Sequence, residues 1–133
     1  WDMGDFYALS PVSRLAGILT FRYLYLFSDN TNDLFFPGKM KTISCLKKFD
    51  REHTILHDVI KVEHLEDDVI RILTSCGLQL NEAQRNHIYS VKKTNADKKK
   101  KEIARYYDAE TIELVRQKEQ FIVEKHQYPV PAI

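Results

Sequence analysis

Glycine and proline are scarce in this chain, with four of each in 133 residues, and cysteine appears twice. So few turn formers argue for long regular elements and exclude a collagen-like repeat. Two cysteines, Cys45 and Cys76, exclude a disulfide scaffold and match no metal-ligand spacing. They read as small buried thiols, with a Cys45–Cys76 bridge as the alternative. This usage favours a reducing, cytoplasmic setting. Charge of one sign is also missing: twenty Lys and Arg face nineteen Asp and Glu, a formal +1, so the chain as a whole is no polyanion binder. No long uncharged apolar run exists either. The most apolar stretch, 6–27, is interrupted by Arg14 and Arg22, each costing about 2.5–3.5 kcal/mol in a bilayer. It reads as a buried helix and not a membrane segment. The first residue is Trp, with no signal sequence after it, which leads us to expect a piece of a longer protein.

What is present is ordinary for a globular domain: 44% apolar and 29% charged residues. Phe6–Leu9 is a short apolar run of strand type. Ser10 then stands as a helix cap, with Pro11 at the first helical position, and the spacing predicts one core helix to about Phe27. Residues 28–33 form a polar loop. Met40, Ile43, Leu46 and Phe49 recur every three positions, the mark of a short amphipathic helix. The β-branched stretch 58–62 is a second strand candidate. A helix over about 66–76 follows, with acids at its start and Gly77 as its stop. Asn81 with Gln84 forms a capping-box pattern opening another helix. Asp108 caps a last helix over 109–126, with Ile112, Val115, Glu119 and Ile122 on one stripe. Two strands separated by helices predict a helix-dominated α/β unit with a small parallel sheet, in one domain over 1–133.

Several side chains could carry chemistry. His53 and His57 are four apart and would share a helix face, as a metal pair needs. They have no third ligand at a useful spacing, so surface histidines and no metal is the reading favoured. The turn 37–42, with Lys39, Lys41 and Thr42, opens a helix and could meet a phosphate, or it is an everyday Pro-Gly turn. Residues 92–101 carry six lysines and one aspartate, a local +5. They could hold an anion by point charge, or form a solvated loop. Aromatics are not interleaved with them, so nucleic acid is not expected.

Three segments in order resemble the carbohydrate-type sulfotransferases that use the sulfate donor PAPS. FYALSPVSRLAGILT is similar to that family's strand, turn and helix around the 3′-phosphate of the donor. DVIKVEHLEDDVIRIL is similar to its strand ending in Glu before an acidic helix start. Asn95 followed by RYYDAETIELVRQKEQFIVEKHQY resembles its closing helix. The resemblance implies part of the family's P-loop NTPase-like fold, corresponding to its C-terminal portion, and sulfuryl transfer from PAPS to a carbohydrate or other hydroxyl. Completion by a donor-loop portion upstream would be required. It places donor binding on Ser10, Ser13, Arg14, Asn95, Lys98 and Lys99, and leaves the catalytic base unassigned. Glu63 would orient a loop or be a buried structural carboxylate, and Tyr106 and Tyr107 would anchor the last helix. The chain departs from the family at Leu9, where an Arg is expected, and at Gly17, where a Ser is expected. These departures make the alternative a non-catalytic scaffold binding a carbohydrate, an acidic ligand, a protein partner or a second copy.

Overall fold

A computed structural model describes residues 10–91 and 106–129. The chain divides into two compact units, one of Trp1–Ile55 with Lys101–Ile133 and one of Leu56–Lys100. The described residues are helical and contain no β-strand, so the small parallel sheet is not formed. An antiparallel bridge between Ser28 and Thr54 stands outside any strand.

The first unit contains α1 (Ile18–Leu26), α2 (Ile43–His53), α5 (Ala109–Lys118) and α6 (Gln120–His126), with 3-10 turns at Pro11–Arg14 and Thr31–Phe35. Ser10 caps as its sequence context predicts, but the helix it opens is the 3-10 turn alone. The expected 11–27 helix breaks before Ile18, where Gly17 is extended and its N–H donates to the Lys118 carbonyl at 2.6 Å. Thr20, Phe21 and Leu24 of α1 are buried, whereas Leu19 and Leu26 are exposed. The core joins them to Val12, Leu34, Leu46, Phe49 and Phe121. Phe35 meets both Phe21 and Tyr25 edge-on, at centroid distances of 5.7 and 6.0 Å, the geometry that the ring quadrupole favours.

α2 starts at Ile43 with Thr42 as its cap, and Met40 is buried just ahead of it. Its period-three apolar positions Leu46 and Phe49 face the core, as the spacing predicts. The expected single last helix is two. Asp108 caps α5 through the Thr111 N–H at 2.7 Å, and the helix runs only to Lys118. Glu119 leaves helical geometry (φ −106°, ψ 19°) before α6 begins.

The second unit contains the 3-10 turn Val62–His64, α3 (Leu65–Ser75) and α4 (Glu82–Ser90). The strand expected over 58–62 is absent. The Lys61 N–H donates to the Asp68 carboxylate at 3.1 Å, and the chain winds into the 3-10 turn at Val62. Local side-chain capture of that donor removes a ladder hydrogen bond from a stretch that already lacks a partner strand. The other strand candidate, 6–9, lies outside the described residues. α3 and its Gly77 stop (φ +85°) agree with the sequence pattern. The Asn81–Gln84 capping box forms with both bonds at 2.9 Å.

Candidate functional site

A cleft of about 310 Å³ opens in the first unit between α2 and α6. Lys47 and Asp50 reach it from one turn of α2, Glu124 and Lys125 from α6, and Phe121 lies beneath. The sequence periodicity explains the arrangement. Leu46 and Phe49 turn α2 toward the core, which draws Asp50 partly inward beside them and leaves Lys47 at the edge. Phe121 does the same for α6, placing Glu124 and Lys125 one turn further along.

Two ion pairs join the helices. Lys47 Nζ donates to Glu124 Oε2 at 2.6 Å, and both side chains are about half exposed. Gln120 donates to the other Glu124 oxygen at 2.6 Å. The Lys47 and Gln120 contacts hold the Glu124 carboxyl below its ordinary range. Deeper in, Lys125 Nζ donates to Asp50 Oδ2. The Asp50 side chain is only 9% exposed and that of Lys125 28%. Burial pulls the Lys125 ammonium down, but Asp50 and Tyr23 together more than offset it and the group stays above its usual value. The same ammonium lies 5.5 Å from the centre of the Tyr23 ring, within cation–π range. Among the described residues Asp50 Oδ1 is buried with no hydrogen-bond partner. Buried polar atoms are rarely left so.

A second polar centre lies at the start of α1. Gly17, its cap residue, offers no side chain, and Glu119 caps the helix from a distant part of the chain. The Glu119 carboxylate accepts from the N–H of Leu19 at 3.1 Å, from the N–H of Thr20 at 2.8 Å and from the Thr20 hydroxyl at 2.7 Å. Negative charge is favoured at a helix N-terminus.

Of the residues expected to bind PAPS, only Ser10, Ser13 and Arg14 lie among the described residues. Ser10 is 3% exposed, and its hydroxyl donates to the Leu34 carbonyl and accepts from the Val12 N–H. The Ser13 hydroxyl donates to the Ser10 carbonyl at 2.8 Å. Arg14 is exposed at the end of its 3-10 turn. Asn95, Lys98 and Lys99, with Leu9 and the rest of the lysine run, lie outside the described residues. At Gly17, where the resemblance calls for a serine, a Cβ would sit 2.0 Å from Glu119 Oε1. At the start of α1 the Leu19 and Thr20 N–H groups already hold the Glu119 carboxylate, so an anion placed there would meet like charge.

Other candidates resolve locally. Lys39 pairs with Asp33 at 2.7 Å, and Thr42 caps α2 by accepting from the Cys45 N–H at 3.2 Å. Helix α2 ends at His53, so no helix face carries both His53 and His57. His53 Nδ1 lies 2.8 Å from Asp29 Oδ1. Among the described residues no group of three or more His, Cys, Asp or Glu side chains could hold a metal ion. Cys45 is half-buried and Cys76 exposed, both free, which corrects the buried-thiol reading for Cys76. Glu63 is exposed, as are Tyr106 and Tyr107, so neither tyrosine anchors a helix by burial. Among the described residues no helix is long and apolar enough to cross a membrane.

Sequence reasoning missed Asp50, Lys125 and the capping role of Glu119. The one available signal was a glutamate standing in the apolar stripe of Ile112, Val115 and Ile122. No family model matches the chain, and neither the curated proteins nor the solved structures compared with it give a match.

Proposed function

We propose that this chain is a non-catalytic binding module whose site is the α2–α6 cleft, in preference to a sulfuryl-transfer unit. One observation carries the choice of site. Asp50, nine-tenths buried on the cleft wall, keeps an oxygen without a partner although its other oxygen is tied to Lys125. The cleft volume falls at the lower end of the range for small-molecule sites, about 300–1,000 Å³. Sulfuryl transfer would instead call for cations and N–H donors converging on an anionic donor. The Arg and the Ser that the resemblance calls for at the 3′-phosphate are replaced by Leu9 and Gly17.

Calorimetry with adenosine 3′,5′-bisphosphate tests this reading. No measurable binding is expected. Micromolar binding would overturn it, because the chain would then hold a donor site of its own.

A further inference from the structure

We propose that the α2–α6 cleft takes a small zwitterion, an apolar free amino acid, with its ammonium toward Asp50 and its carboxylate toward Lys47. The inference rests on the binding-module reading above and adds the class of ligand.

The charges lining the cleft are two ammonium groups and two carboxylates, so a ligand with a net charge gains little there. A dipolar one can satisfy both signs at once. The unspent valences point the same way. Each ammonium carries three donors. Among the described residues Lys47 spends one of them, on Glu124, leaving donors for a ligand carboxylate. The acceptor left over is Asp50 Oδ1, while Glu124 has both oxygens engaged, by Lys47 and Gln120. One free acceptor inside and free donors at the rim match an ammonium leading inward and a carboxylate trailing. Phe121 is the apolar residue among those lining the cleft, so a ligand side chain there would meet its ring edge.

Asp50 Oδ1 is buried, so binding requires side chains lining the cleft to move. The pair lining it nearest to solvent is Lys47–Glu124, whose side chains are 48% and 44% exposed. An exposed pair of this kind opens at little cost. The inner pair, Lys125 with Asp50, stays in place.

The test is a titration followed through the backbone amides of 47–50 and 121–125, with three probes of the same shape. L-phenylalanine carries both groups, 3-phenylpropanoate lacks the ammonium, and phenethylamine lacks the carboxylate. Phenylalanine is expected to shift the cleft amides, with each truncated probe about tenfold weaker or more, the loss of one charge-assisted contact. Lys47→Met should weaken phenylalanine several-fold and leave phenethylamine unchanged. A truncated probe that binds as well as phenylalanine would overturn the zwitterion inference and leave the small-ligand reading standing. Cleft amides unmoved by all three probes would overturn both.

Discussion

The end of the Glu119 side chain occupies the space that a Cβ on Gly17 would need. A methyl group on Gly17 would meet Glu119 Oε1 at 2.0 Å and its carboxyl carbon at 2.7 Å. That contact aims the Glu119 carboxylate at the Leu19 and Thr20 N–H groups. It also lets the Gly17 N–H reach the Lys118 carbonyl at 2.6 Å. The break between α5 and α6 and the start of α1 are thus one structural event.

Replacing Glu119 should destabilise the first unit. Glu119→Ala leaves two helix-start N–H groups and the Thr20 hydroxyl without their acceptor. A lost cap together with charge-assisted bonds is worth about 2–3 kcal/mol. Urea denaturation monitored by circular dichroism would measure it, and an unchanged midpoint would mean that the carboxylate does not cap α1.

Gly17→Ala should cost about 1–3 kcal/mol through overpacking, and Gly17→Ser no less. With Glu119 already changed to Ala, the Gly17→Ala substitution should cost little. A double-mutant cycle reads that coupling directly. Simple additivity would contradict the close approach.

Lys125→Met should cost on the order of 2 kcal/mol. It falls short of the roughly 3–5 kcal/mol for breaking a fully buried pair, because 28% of the Lys125 side chain remains exposed. Adding Asp50→Leu should recover most of the loss, since it removes the stranded carboxylate. Melting temperatures of the wild type, the single variant and the double variant test the sequence of effects.

Stability should fall at acid pH. The carboxyls of Asp68, Asp108, Glu113 and Glu124 are all held below their ordinary values, Asp108 mainly by the Thr111 hydroxyl and N–H. A depressed folded-state pKa gives stability that is present above the unfolded value, about 4, and is lost as pH drops through the folded one. Asp108→Asn keeps a capping oxygen but cannot titrate, so its melting temperature should fall less between pH 5 and pH 2, a range set by those carboxylate values. A loss identical to wild type would remove Asp108 from the account.

Cys45 should ionise more readily than an ordinary cysteine. Its thiol is lowered first by the Thr42 hydroxyl, then by backbone N–H groups at the start of α2. Iodoacetamide alkylation followed against pH in the Cys76→Ser variant should give a midpoint below that of a free cysteine, about 8.5. A midpoint at the free value would show that the helix start does not act on the thiol.

The sequence was most legible where a signal acts within one turn. Ser10, Asp108 and the Asn81–Gln84 pair cap where their spacing predicts, because a cap needs only the next three N–H groups. Gly77 stops α3 for an equally local reason. Legibility failed at 58–62, where β-branched residues suggested a strand. A strand needs a partner, and the Asp68 carboxylate takes the Lys61 N–H instead.

The sequence by itself determined most helix starts and stops, the core-facing positions of α2 and a near-neutral charge balance. These depend on side-chain volume, backbone donors and short-range spacing alone. Only the tertiary structure decided where α1 begins and where the last helix breaks, because both follow from Glu119 meeting Gly17 across the fold. It also decided the cleft: nothing in the spacing of Lys47, Asp50, Glu124 and Lys125 says that α2 and α6 lie side by side. Charges acquire their partners from packing, and packing between distant segments is not a property of either segment.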